Sequence, residues 1–239
     1  RSPVTPLVQT SHDHQHWRSL MSRIKMVDPD KISGDIEKMF EAVTAMMGRV
    51  PNSYRVLARV PMVSKLLLPF NAAMQREGAG SQLTSKLKEM VVIKTSHLNA
   101  CNYWFAHNTS LGQAAGITEE QVIQIGTDEY LTSDLFSERE KVAILWGTHV
   151  TLNTAKNEIE IFNRLKKSFT ETEILDLTLI SCFFNFFNRL MDSLDVPVEP
   201  QDEVDKIKTS VNLDPDKVKS YLQTTIENWP KNFPKPNPD

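Results

Sequence analysis

Asn99 to Asn108 reads NACNYWFAHN and gathers a thiol, a phenol, an indole and an imidazole within one short stretch. Cys101 is a nucleophile or redox centre if it ionises, His107 is a proton carrier, and the Tyr103 hydroxyl can donate to a carbonyl oxygen. Asn99 reads as the N-cap of a helix, which predicts Cys101 in the first turn, where free backbone N–H groups and the positive helix end favour a thiolate. Around that helix Trp104 and Asn108 fall within about 60° and 20° of Cys101, whereas His107 falls about 120° away. Asn108, not His107, therefore shares the cysteine's face. Twelve residues before the cysteine, Glu89 stands in the apolar run EMVVI. It is either half-buried with a raised pKa suited to proton transfer or paired with Lys86 or Lys88. His97, two residues before the predicted cap, either joins the same pocket as an acid or base or bonds a helix end. Later in the chain Asn185, Asn188 and Arg189 interrupt an aromatic helix, to pair at an interface or to hold a substrate carboxylate through Arg189. Cys182 reads as inert packing and His149 as a satisfied helix histidine.

The segment KEMVVIKTSHLNACNYWFAHNTSLGQAAGITEEQV resembles the core of the alkyl hydroperoxidase D and carboxymuconolactone decarboxylase superfamily, whose motif sets a glutamate twelve residues before Cys-x-x-Cys-x-x-x-His. Glu89 and Cys101 match without a gap. PNSYRVLARVP and FFNFFNRLMDSLDVPVEP are similar to members of the peroxidase-related type, so the likeness spans about residues 35 to 200. Two motif positions depart: Trp104 replaces the second cysteine and Asn108 the histidine. A dithiol cycle needs a resolving thiol and a proton relay, and both local partners are missing. Tyr103, Phe105 and His107 instead follow the Tyr-x-aromatic-x-His-His pattern of members without the dithiol, with Asn108 in place of the second histidine.

The resemblance implies a small-molecule substrate, no cofactor, no metal and a homo-oligomer. Three readings follow from it. The first is a cofactor-independent lyase, decarboxylase or isomerase acting on a small oxygenated carbon acid, with Glu89 as base and His97 or His107 as acid. In it Tyr103 and Asn108 donate to an enolate oxygen, while Trp104 and Arg189 contact the substrate. The second is a single-thiol hydroperoxidase in which Cys101 is oxidised and then reduced by an outside thiol or by Cys182. The third is a catalytically silent oligomeric scaffold.

Positioning these groups falls to helices. Apolar residues recur at three- and four-residue spacing and only 8 of 239 residues are glycine, which predicts an all-α chain. Helices are predicted at about 34–47, up to Pro61, across MVSKLLLPFNAAMQ with a kink or break at Pro69, and at 83–96. Thr118 with Gln121, Ser137 with Glu140 and Thr170 with Glu173 have capping-box spacing, and Asp214-Pro215 opens a last helix reaching about Trp229. The organisation expected is a polar extension over 1–30, an alkyl hydroperoxidase D-like domain over 31–200, and a C-terminal helix with a proline-rich tail over 201–239. His12, His14 and His16 in the first segment either chelate a metal or form a solvated tail. The net charge of -3 carries no nucleic-acid footprint. The longest apolar run, 174–190, is broken by Asp176, Asn185, Asn188 and Arg189, so no membrane span and a soluble protein are expected. Two scattered cysteines favour a reducing, cytoplasmic setting, and Arg1 in place of methionine leaves a removed leader open.

Overall fold

The computed structural model describes residues 22–78 and 80–237, so His12, His14 and His16 lie outside the described residues. Among those described the chain is helical, with no β-strand and only an isolated bridge between Glu77 and Asn212. The helices are α1 (Asp35–Met47), α2 (Asn52–Leu57), α3 (Pro61–Gln75), α4 (Ser85–Leu98), α5 (Asn102–Ala114), α6 (Glu119–Thr127), α7 (Glu138–Thr151), α8 (Ile159–Ser168), α9 (Glu171–Ser193), α10 (Gln201–Asp205) and α11 (Pro215–Glu227).

Helix α4 is the axis of the fold. Leu87 to Ser96 are all buried, because α3, α5, α6, α7 and α9 surround it. Two glycines let neighbours approach. A Cβ on Gly147 of α7 would lie 2.7 Å from Val91 Cγ1, and one on Gly112 of α5 would lie 3.2 Å from Glu89 Cβ. Helix α9 contributes Phe183, Phe184 and Phe187 to the core and meets Trp104 of α5 at ring distances of 5.2 Å to Phe184 and 4.8 Å to Phe187. At 23 residues α9 is long and apolar enough to cross a membrane by length and composition, contrary to the sequence expectation. Half of its most apolar stretch is buried inside the protein, as for a core helix.

All three predicted capping boxes form, at Thr118, Ser137 and Thr170. Asp214 caps α11, whose helix ends at Glu227. Of the kink or break expected at Pro69, the break does not occur: α3 runs through it. Proline has no N–H to offer the Lys65 carbonyl four residues back, and the Tyr221 hydroxyl of α11 donates to that oxygen instead, at 2.9 Å. The orphaned acceptor is thus where the C-terminal helix docks.

The start of α5 also differs from expectation. Asn99 is the C-cap of α4, and Cys101 is itself the N-cap of α5. The Cys101 N–H donates to the Ser96 carbonyl and the Ala100 N–H to the His97 carbonyl, each at 3.0 Å, with Ala100 at φ 54°. This is a Schellman ending built on alanine rather than glycine, which hides it from a glycine-based reading.

Candidate functional site

Glu89 sits in the middle of α4 with no exposed surface, and neither carboxyl oxygen has a hydrogen-bond partner of normal geometry. Burial pushes its pKa up to about 8, opposed first by the Arg76 charge and then by Gln75 and Lys88 beside it. Lys88 does not reach the carboxyl as an ion-pair partner: its Nζ donates to the Arg76 carbonyl at 3.0 Å. Arg76 is fully buried where the chain leaves α3. Its Nη1 donates to Gln75 Oε1 at 3.0 Å and its Nη2 to Ser210 Oγ at 3.1 Å, while Nε has no partner. Burial lowers the Arg76 pKa to about 10, and Glu89 is the charge that most opposes the shift.

A chain of buried polar groups continues from there. Gln75 Nε2 donates to Asn108 Oδ1 at 3.1 Å, Asn108 Nδ2 to Ser96 Oγ at 3.2 Å, and Ser96 Oγ to Asn188 Oδ1 at 3.3 Å. Asn108 thus occupies the face predicted for it and links α3, α4 and α9. Its two amide atoms are both engaged within the protein.

Cys101 does not carry the thiolate that its helix-end position suggests. The residue is 1% exposed, and Sγ lies 3.8 Å from the Asn188 carbonyl oxygen, toward which the thiol donates. Burial, joined by the Asp192 carboxyl, pushes the thiol up to about 12 against the weaker pull of the Trp104 and Tyr103 amides. Cys182, expected in the core, is exposed, and both cysteines are free.

The two histidines go elsewhere. His97 is exposed; its ring lies over Gly126 and 6.1 Å from the Phe105 ring, on a surface hollow of about 410 Å³ shared with Thr109, Gln113 and Ile123. His107 is buried on another face of α5, about 100° round the helix from Asn108. Its Nδ1 is 2.7 Å from the Tyr103 carbonyl oxygen and its Nε2 3.0 Å from Glu199 Oε2, a close contact without good hydrogen-bond direction. The Tyr103 hydroxyl donates to Glu199 Oε1 at 3.1 Å and accepts from the Ser53 N–H at 3.0 Å. Burial alone would raise the Glu199 carboxyl, but His107 and the Asn52 amide hold it down at about 2. Glu199 is therefore an anionic clasp that fastens the chain after α9 to α2 and α5. Trp104 is packed among Tyr103, His107, Phe184 and Phe187, its Nε1 unpartnered. Arg189 is exposed and donates to the Asn185 carbonyl and side chain at 3.0 and 2.8 Å, away from the Glu89 chain. Among the described residues no three His, Cys, Asp or Glu side chains are placed to hold a metal.

The structure thus joins Glu89 and Asn108 to Gln75, Arg76 and Ser96, which the sequence reading missed, and to Asn188, which it had singled out only as an interruption of an aromatic helix. Gln75 and Arg76 follow an apolar helix in AAMQREG, where a charged end reads as solvated. Glu199 in VPVEP gave no signal beyond a carboxyl in a proline-rich turn.

Residues 65–146 match the model of the Carboxymuconolactone decarboxylase family. The uncharacterized protein YdfG of Bacillus subtilis (strain 168) is 26% identical over 118 residues, 49% of this chain and 79% of that protein. Among solved structures, an alkylhydroperoxidase AhpD core, peroxidase-related protein from Ralstonia eutropha JMP134 superposes with a TM-score of 0.64 at 24% identity, covering 78% of this chain and 96% of its own. A peroxidase-related protein from Silicibacter sp. TM1040 gives 0.64 at 19% identity, over 75% and 93% of the two chains. The debrominase Bmp8, as a cysteine-to-alanine variant in complex with 2,3,4-tribromopyrrole, gives 0.65 at 18% identity, over 78% and 99%. The resemblance read in the sequence therefore holds: the fold and the matched segment are those of the alkyl hydroperoxidase D-like and carboxymuconolactone decarboxylase-like superfamily.

Proposed function

We propose a cofactor-independent acid–base enzyme of the lyase, decarboxylase or isomerase kind, acting on a small oxygenated carbon acid; the family match and the solved neighbours support an enzyme of this superfamily. The observation that carries this reading is Glu89: a carboxyl without hydrogen-bond partners, held near pKa 8 in a buried setting beside a guanidinium. That value lies close to neutral pH, where a group both takes and returns a proton efficiently. In the proposed step ionised Glu89 takes a proton from the carbon next to a carbonyl, and the electron pair moves to the carbonyl oxygen as an enolate. Glu89 then returns the proton at another carbon. Arg76, whose Nε–H is free, stabilises the enolate oxygen, a part the sequence reading had given to Tyr103 and Asn108. Asn108 positions Gln75, and Tyr103, His107 and Trp104 build the wall that Glu199 fastens. His97 and Arg189, both outward, take no part.

Turnover of small keto acids and lactones by wild type, Glu89→Gln and Cys101→Ser tests this. The expected result is a loss on the order of a hundredfold in Glu89→Gln and little change in Cys101→Ser. Turnover that survives the first change and vanishes with the second would favour the single-thiol reading. The scaffold reading has one observation in its favour: Glu89, Cys101 and Asn108 are all sealed from solvent.

We also propose that two copies of the chain associate. Val63, Leu66 and Phe70 of α3 and Leu175, Leu179 and Phe186 of α9 are exposed apolar side chains on two packed helices, joined through Phe183, which lies 5.0 Å from Phe70 and 6.2 Å from Phe186. Light scattering should give at least twice the chain mass for wild type and a smaller mass for Leu66→Asp with Phe186→Asp. A monomeric wild type would refute it.

A further inference from the structure

Between α9 and α11 the chain recrosses the molecule as α10, a 3-10 turn at Lys206–Ser210, and an extended piece that bridges to Glu77. Proline stands at both ends, Pro200 before α10 and Pro215 opening α11. Where this segment lies is set by its tethers. Ser110 Oγ of α5 donates to Asp205 Oδ1 at 2.8 Å, Arg76 Nη2 to Ser210 Oγ at 3.1 Å, and Ser85 Oγ of α4 to the Val211 carbonyl at 2.9 Å. The Leu213 N–H donates to the Glu77 carbonyl at 2.7 Å. Ser85 lies one helical turn before Glu89 on the same face of α4, and Arg76, which holds Ser210, is the charge that acts most strongly on the Glu89 carboxyl. Two of the tethers are therefore attached to neighbours of the carboxyl, while the Ser110 tether fastens the segment farther along α5.

The segment is held lightly. Val204, Ile207 and Leu213 are its buried apolar side chains, and the remaining attachments are hydrogen bonds: one from Ser110 to Asp205, one from Arg76 to Ser210, and a small cluster where Val211 and Leu213 meet Glu77 and Ser85. Its own ion pairs, Lys206 with Glu203 and Lys208 with Asp205, stay within it. Its backbone also lies flat against two glycines at positive φ: a Cβ on Gly48 would meet the Lys206 carbonyl oxygen, and one on Gly78 the Leu213 carbonyl oxygen, each at 2.4 Å. Few apolar anchors and an internally braced strap between two prolines describe a unit that opens before the core does.

We propose that residues 201–213 are a hinged strap that lifts to admit substrate to Glu89 and, on closing, shuts water out. Its purpose rests on the acid–base reading of Glu89, but the gating itself is tested without turnover. Carboxyl labelling by a water-soluble carbodiimide with an amine, read at Glu89 by mass spectrometry, reports access; hydrogen exchange over 201–213 reports the strap. Asp205→Ala removes the Ser110 tether, and Gly78→Ala sets a methyl against the Leu213 carbonyl. Both variants should raise strap exchange and Glu89 labelling together, on the order of tenfold, with α4, α7 and α9 exchanging as in wild type. Should Gly78→Ala fail to fold, Asp205→Ala, at a partly exposed residue, carries the test. Faster strap exchange with Glu89 labelled no faster than in wild type would overturn the proposal. Strap-dependent labelling in a protein whose Glu89→Gln variant keeps full turnover would leave the gate standing and remove the acid–base reading.

Discussion

Raising the pH from about 5 to about 8 is expected to cost the wild-type protein stability that Glu89→Gln keeps. The sign follows from proton counting. In the unfolded chain Glu89 releases its proton near the ordinary value of 4.5, whereas in the fold it holds it to about 8. Between those values the native state binds the extra proton, so stability falls as pH rises and levels off once the folded carboxyl has ionised. Complete expression of the shift amounts to roughly 5 kcal/mol. Glutamine keeps the shape without the ionisation, so chemical denaturation midpoints of the variant should lose this slope and exceed those of wild type at pH 8. The Glu199 clasp acts elsewhere on the scale: its carboxyl is held near 2, so its contribution is present above about 4.5 and lost in acid. Parallel slopes for the two proteins between pH 5 and 8 would mean that Glu89 ionises normally.

Iodoacetamide should modify Cys182 in the folded protein and leave Cys101 untouched at neutral pH. Accessibility alone separates them, since Cys101 is 1% exposed and Cys182 lies at the surface. Ionisation widens the gap. With its thiol pushed up to about 12, Cys101 is a thiolate in on the order of one molecule in 10⁵ at pH 7, against a few per cent for an ordinary free thiol. A difference of a thousandfold or more from a free thiol follows, because the thiolate is the reactive form. Mass spectrometry of the alkylated peptides checks this. Rapid modification of Cys101 in protein that retains its native circular dichroism would restore the single-thiol reading.

The residues that proved legible in the sequence are those whose structure is decided locally. Three capping boxes and the Asp214-Pro215 helix start follow from side chains within a turn of one another, and the apolar run around Glu89 pointed to half-burial or a lysine partner where the carboxyl is in fact fully buried. The wheel argument that parted Asn108 from His107 also carried through: Asn108 joins Ser96 and Gln75, and His107 turns to Glu199. The illegible features depend on distant partners. Cys101 sits at a helix start, as its surroundings suggested, yet burial, joined by the Asp192 carboxyl of α9, reverses the effect on its thiol. Pro69 reads as a kink or a break, and that the helix continues is clear only once Tyr221, more than a hundred positions later, donates to the carbonyl it leaves free. Arg76 looks like a surface charge until Ser210 covers it, and the strap that brings Ser210 there has no motif of its own.

The central claim is that Glu89 is a sealed carboxyl poised to move a proton, and a carbon-13 titration of its side-chain carboxyl measures that directly, with the resonance assigned by its loss in Glu89→Gln. The account predicts a midpoint well above 4.5, near 8, in the folded protein. A midpoint at the ordinary glutamate value would contradict it.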